Sequence, residues 1–262
     1  MIKLNGVIVE QNHFPDGTLL LKEESKWSGG GAHEIEWRFE NNEELVTLIF
    51  LTKHLRSYDS TRKIKLFLPY IPNARMDRVK TSEDVFTLKY FCEVINSLNF
   101  TEVRVLDPHS NVALALLDRV VNCDISHFIN EAIINSGAQI IFYPDEGAMK
   151  RYSNDSVMPY AFGIKKRDWK TGRILGLDIT NECFVKDKDV LIVDDICSRG
   201  GTFYHSAKAL KEAGANKIYL YVTHCENTIL EGEVLTSGLI EKVYTTGSIF
   251  TKEHEKVEVM NK

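Results

Sequence analysis

The chain has 262 residues, 44% of them hydrophobic and 26% charged, with a formal net charge of -5, a length that suits one large domain or two of about 130 residues each. The negative charge leaves no global basic field to draw in nucleic acid or anionic lipid. No apolar run reaches the roughly 18 residues that span a bilayer, and the opening MIKLNGVIVEQNHF lacks the apolar stretch and cleavage site of a secretory signal.

Taken in chain order, residues 1–24 read as strands, with alternation in VIVE, a turn at Pro15-Asp16-Gly17 and a short apolar run, LLLK. The SGGG at 28–31 marks a flexible turn. Leu45, Leu48, Ile49 and Leu55 fall near helical spacing, so residues 42–56 are expected to form a helix. KIKLFLPY at 63–70 is a strand that Pro72 stops, residues 86–98 a helix, and VRVLDPHS at 103–110 a strand with a polar end. The order then repeats: helix 126–136, strand 139–147, strand 189–195, a Gly-rich turn, helix 203–214 and strand 217–224. Residues 167–182 show no clear periodicity and read as a mobile loop or hairpin. The five cysteines, Cys92, Cys123, Cys183, Cys197 and Cys225, form no CxxC pair, which argues against a zinc knuckle or thioredoxin-type site and fits reduced thiols in a cytoplasm.

Continuous apolar strands alternating with helices predict an α/β fold with mostly parallel, doubly wound sheets. A boundary near residue 125 gives domains of 1–125 and 126–262. Ligands in such sheets bind at the carboxyl ends of strands. The chemically rich stretches 73–78, 107–109, 145–147 and 194–202 all fall there.

The most informative stretch is VLIVDDICSRGGTFYHSAKALKEAGA, residues 190–215. An apolar strand delivers Asp194 and Asp195, then Ser198, Arg199, Gly200 and Gly201 form a short loop, and Thr202 opens an amphipathic helix. Adjacent carboxylates can accept hydrogen bonds from the two vicinal hydroxyls of a ribose. The glycines permit close backbone approach, and the helix N-terminus offers N–H groups to a phosphate. GxxxxGK[ST] is absent, so this is not a P-loop. The segment resembles the phosphoribosyl diphosphate-binding loop of the phosphoribosyltransferase superfamily. That superfamily includes transferases that consume the diphosphate and ribose-phosphate pyrophosphokinases that make it.

Five further segments, in family order, resemble the pyrophosphokinases. HFPDGT at 13–18 resembles a Phe-x-Asp-Gly-Glu turn through Phe14 and Asp16, with Thr18 in place of glutamate; by itself PDG is only a turn signal. LPYIPNARMDRV at 68–79 resembles the family's ATP-binding segment through Arg75, Asp77 and Arg78, and an arginine there can neutralise phosphates bidentately. LDPHS at 106–110 places His109 where the family has a histidine beside ATP phosphates and metal. YPDEGAMKRY at 143–152 resembles the pyrophosphate loop through Asp145 and Gly147, with Lys150 and Arg151 following and Ala148 replacing a second glycine. IKKRDW at 164–169 matches the strand end before the family's catalytic loop through Lys165 and Arg167.

The resemblance covers residues 7–250 and implies two phosphoribosyltransferase-like domains. Transfer of the β,γ-pyrophosphoryl group of ATP to ribose 5-phosphate is the activity it implies. Lys165 and Arg167 would be the catalytic cations. Phe14, Asp16, Arg75, Asp77, Arg78 and His109 would bind ATP. Mg²⁺ would lie at Asp145 and His109, and Asp145 with Gly147 would hold pyrophosphate. Asp194, Asp195 and the 198–202 loop would hold the ribose and its 5-substituent. Phe14 and Asp16 contact a neighbour's adenine in the family, which implies a homodimer or a higher homo-oligomer, with neither nucleic acid nor membrane as partner. Ser198 and Arg199 stand where the family has Asp-Thr, which keeps ADP-ribose open as an alternative acceptor, with a place in NAD rebuilding. The same loop also leaves room for a phosphoribosyltransferase or for an inactive regulatory homologue.

Overall fold

The apolar runs of the sequence pair into two large sheets, one in each of two units, Met1–Asp124 and Ile125–Lys262. The structure is a computed structural model and describes residues 1–22, 31–154, 156–167 and 174–260. Most of the SGGG turn and part of the 167–182 stretch lie outside the described residues.

In the first unit the strands are β1 (Ile2–Leu4), β2 (Val7–Ile8), β3 (Asn12–His13), β4 (Leu19–Leu20), β5 (His33–Trp37), β6 (Ile64–Leu68), β7 (Glu102–Leu106) and β8 (Val120–Cys123). Helix α1 (Glu43–Tyr58) links β5 to β6, α2 (Thr87–Ser97) links β6 to β7, and α3 (Asn111–Leu116) links β7 to β8. The sheet order is β2-β1-β5-β6-β7-β8, with β5 to β8 parallel and in chain order, and β3 and β4 form a separate hairpin. Burial alternates along β6, with Ile64, Leu66 and Leu68 fully covered. That period of two packs one face of the strand against a core that includes Leu48, Leu51, Leu88 and Ile95 of α1 and α2.

In the second unit α4 (Ser126–Ser136) ends at Gly137, whose φ of 66° supplies the left-handed cap. There follow β9 (Ile140–Tyr143), α5 (Glu146–Tyr152), β10 (Tyr160–Arg167), β11 (Ile174–Ile179), β12 (Val190–Cys197), α6 (Gly201–Glu212), β13 (Ile218–Cys225), β14 (Lys242–Thr246) and β15 (Val257–Met260). The order is β11-β10-β9-β12-β13-β14-β15, parallel except for the β10–β11 pair. From β9 the chain steps out one way to β10 and β11 and then returns to β12 on the other side. The carboxyl ends of β9 and β12 therefore flank a topological switch point, where open α/β sheets bind ligands. The sequence led us to expect a strand over 139–147. The strand stops at Tyr143, because Pro144 cannot donate to the ladder and Asp145 caps a helix instead. Among the described residues no helix is long and apolar enough to cross a membrane.

Candidate functional site

The candidate residues fall into two groups, one on each unit. In the second unit Asp145 follows β9 as the N-cap of α5 and accepts a hydrogen bond at Oδ1 from the Ala148 N–H, 3.1 Å away. Gly147 leaves room for that carboxylate, since a Cβ there would lie 3.1 Å from Asp145 Oδ1. On the neighbouring β12 the apolar run Val190–Val193 is wholly buried and gives way to Asp194 and Asp195. Adjacent strand positions face opposite sides of a sheet. Asp194 thus shares the face of Val190 and Ile192, which pack with Phe203, Ala207 and Leu210 of α6. Asp195 starts from the other face, where Arg151 of α5 meets it, Nη1 to Oδ2 at 3.2 Å.

Burial, the Asp195 carboxylate and, more weakly, that of Asp145 push Asp194 well above the usual carboxylate range. The Asp195 N–H, donating to Asp194 Oδ1 at 2.9 Å, opposes this without cancelling it. The cluster thus carries surplus negative charge, suited to hydroxyl donors or a cation.

The loop beyond β12 is braced from behind by residues 226–234. The Glu226 N–H donates to the Cys197 carbonyl at 2.8 Å. The Ser198 hydroxyl lies 3.1 Å from that of Thr228, which donates to Glu226 Oε2 at 3.1 Å. Arg199 donates through Nε and Nη2 to Glu231 Oε2 at 3.2 and 2.8 Å. Gly232 presses on the loop backbone so closely that a Cβ would meet the Arg199 carbonyl at 1.9 Å. Gly200, with φ 78°, turns the chain into α6, and its carbonyl accepts the first helical bond from Tyr204. Gly201 and Thr202 are exposed in the first turn, where N–H groups lack intrahelical partners. Lys165 and Arg167 lie on β10, in register with Leu177 and Ile174 of β11, with a register shift between Lys166 and Arg167.

In the first unit Phe14 and Asp16 sit in the β3–β4 turn. Phe14 is half exposed. The Asp16 carboxylate accepts from the N–H and the hydroxyl of Thr18 at 3.0 and 2.7 Å, which holds it below the usual carboxylate range. Thr18 is thus used inside the turn. His13 Nε2 lies 2.6 Å from Glu43 and ties the hairpin to α1. Arg75, Asp77 and Arg78 follow β6. Asp77 is buried and receives Arg78 bidentately, Nε at 2.8 Å and Nη2 at 3.2 Å. That bond lowers its pKa, with smaller contributions from Ser110 and His109; the Ser110 hydroxyl is near without meeting full hydrogen-bond geometry. The ends of β6 and β7 are thereby brought together at Asp77, Arg78 and His109. Arg75 is exposed. No group of three or more His, Cys, Asp or Glu among the described residues could hold a metal ion by itself.

Sequence reasoning named Arg151 only as a basic residue and missed the brace at 226–234. Its one sequence signal is Gly232, which reads as a turn until the Arg199 carbonyl is set against it.

A profile of the phosphoribosyl transferase domain matches residues 153–234. The chain is 29% identical over 241 residues to the ribose-phosphate pyrophosphokinase of Thermococcus kodakarensis, covering 90% of this chain and 81% of that one. It is 26% identical over 266 residues to the ribose-phosphate pyrophosphokinase of Sulfolobus acidocaldarius, covering 97% and 89%. The fold is similar to the crystal structure of phosphoribosylpyrophosphate synthetase from Mycobacterium smegmatis, with a TM-score of 0.78 at 17% identity over 97% of this chain and 85% of that one.

Proposed function

We propose that this chain, a homologue of the ribose-phosphate pyrophosphokinases, transfers the β,γ-pyrophosphoryl group of ATP to the anomeric hydroxyl of ribose 5-phosphate, giving phosphoribosyl diphosphate and AMP. The observation that carries this reading is the switch point of the second sheet. There an aspartate-capped helix start and a paired-acid strand with a Gly200-turned loop stand on adjacent strand ends. The similarity also runs through the first unit, covering 90% and more of the chain, which favours a pyrophosphokinase over a phosphoribosyltransferase.

In this reading the Asp194 and Asp195 carboxylates accept from the ribose 2- and 3-hydroxyls. N–H groups of the 198–202 loop and the α6 start receive the 5-phosphate. Phosphoryl chemistry asks mainly for positioning and charge neutralisation, and Lys165 and Arg167 would supply cationic charge to the transferring group and the leaving AMP oxygen. Phe14, Asp16, Arg75, Asp77, Arg78 and His109 are assigned to ATP, Gly147 and Asp145 to its pyrophosphate. A divalent cation, Mg²⁺, fits this set. One or two carboxylates plus substrate phosphates make a usual magnesium environment. Burial first, then Asp195 and more weakly Asp145 raise the Asp194 pKa, so the three carboxylates stand within electrostatic reach of one another, where a cation would offset their charge. Asp145 would hold it on the second unit, and it would supply charge neutralisation on the phosphates; a part for His109 rests on the family resemblance alone.

The half-exposed Phe14 on its pinned hairpin supports a homodimer or larger assembly in which it reaches a neighbour's adenine. Five free cysteines fit a reducing compartment such as the cytoplasm. The named relatives give ADP-ribose, the longer acceptor that Arg199 suggested, no support. The test is incubation with Mg-ATP and ribose 5-phosphate, read by mass spectrometry. AMP and phosphoribosyl diphosphate are expected together; ADP as the main nucleotide product refutes pyrophosphoryl transfer.

A further inference from the structure

The last turn of α5 carries two cations that the sequence treats alike and the structure does not. Lys150 reaches back to Glu146 at 2.7 Å on the same helix, both side chains about two-thirds exposed. Arg151 turns inward, and its Nη1 lies 3.2 Å from Asp195 Oδ2, where the carboxylate side chain is 8% exposed. The guanidinium also lies 5.5 Å from the centre of the Tyr152 ring, itself buried. One side chain thus joins the helix that Asp145 begins to the strand that carries Asp194 and Asp195.

The geometry points to Arg151 as a positioning residue for the acceptor. It fixes which way the Asp195 carboxylate faces, and it touches no substrate itself. The inference rests on the acceptor site proposed above. A buried carboxylate without its cation is strongly destabilised, and Asp195 also has Asp194 as its chain neighbour. Without Arg151 the Asp195 side chain would turn toward water and leave its place opposite a ribose hydroxyl. The planar guanidinium sets an orientation that a lysine ammonium, a point charge on a flexible stem, sets less well. Arg151 and Asp195 both belong to the second unit, whereas the segments assigned to the ATP nucleoside belong to the first, so the effect is expected to be selective for the acceptor.

The experiment is steady-state kinetics of Arg151→Gln and Arg151→Lys, each alone and in an Asp195→Asn background. Arg151→Gln is expected to raise the KM for ribose 5-phosphate about 10-fold or more, with kcat and the KM for ATP within about 3-fold of wild type. Arg151→Lys should recover part of the loss. In the Asp195→Asn background Arg151→Gln should add less than about 2-fold, because coupled residues are not additive. Equal effects on both substrates, or full additivity with Asp195→Asn, would overturn the inference. Should Arg151→Gln lose its circular dichroism signature of folding, Arg151→Lys decides: a raised acceptor KM supports the role and an unchanged one refutes it. Failure of the underlying reading shows separately, as a wild-type protein that makes no AMP.

Discussion

At Gly200 one added methyl group would meet both a strained backbone and a filled core. Its φ is 78°, in the left-handed region, and a Cβ there would lie 2.2 Å from Val234 Cγ2 and 3.4 Å from Cys197 Sγ. Holding an L-residue in that conformation costs about 1–2 kcal/mol. Forcing a methyl into a filled core costs about 1–3 kcal/mol more. Gly200→Ala should therefore destabilise the second unit by roughly 2–5 kcal/mol, which for a unit of this size lowers its Tm by about 6–20 °C. Thermal melting followed by circular dichroism measures this, and the KM for ribose 5-phosphate should rise in the same variant because the loop shifts with Val234. The two parts separate in a Val234→Ala background, where the clash is gone and only the backbone cost of about 1–2 kcal/mol should remain. A Tm loss under about 2 °C for Gly200→Ala, or an undiminished loss beside Val234→Ala, would refute the reasoning.

Two further predictions concern charge. Asp194 is raised by burial first and by Asp195 next, so the folded protein binds this proton more tightly than the unfolded chain. The stability it contributes is complete below the unfolded carboxylate value of about 4 and is lost as pH rises through the raised folded value. Asp194→Asn should accordingly melt above wild type at neutral pH, with the gain shrinking toward about pH 4; a Tm difference independent of pH contradicts this. Lys165→Ala and Arg167→Ala should each lower kcat roughly 10²-fold or more, with a smaller effect on KM, since they act on charge in the transition state. A near wild-type kcat in initial-rate assays would remove them from catalysis.

Periodicity made much of the α/β alternation legible. The buried run Val190–Val193 and the helical spacing in α1 need no partner to be recognised, because strand and helix periods are local properties. The helix after β9 was not legible in the same way. IIFYPDEG reads as strand running into turn, and only the Asp145 cap bond to Ala148 shows that a helix begins there. Strands β8 and β15 were missed because they are short edge strands with little buried surface, and β14 because its buried positions include the polar Thr245 and Thr246. The paired acids and the loop of the second unit could be named from the β12–α6 segment, yet what each acid meets, such as Arg151 of α5 at Asp195, depends on elements outside it. Arg151 shows the limit well, since nothing in MKRY distinguishes the solvated Lys150 from the half-buried Arg151 that pairs with Asp195.

The departures of the β12–α6 loop from the pyrophosphokinase pattern it resembles are answered by residues outside it. Ser198 stands where the family has a carboxylate, and its hydroxyl is linked through Thr228 to the carboxylate of Glu226. Arg199 adds a positive charge, and Glu231 pairs with it. The local charge near the loop is therefore closer to the family's than the loop sequence alone suggests. The Arg199–Glu231 pair is largely exposed, and such pairs are worth only about 0–1 kcal/mol. It offers little resistance to an incoming phosphate, so Arg199 remains available to an anionic 5-substituent. Backbone shape, by contrast, is set firmly: Gly232 and Val234 close on the loop from behind at distances that leave no room for a Cβ on Gly232 or Gly200. A rigid turn with an adjustable charge at its rim is what the 226–234 brace produces, and it is the backbone, held before any ligand arrives, that a phosphate would meet first.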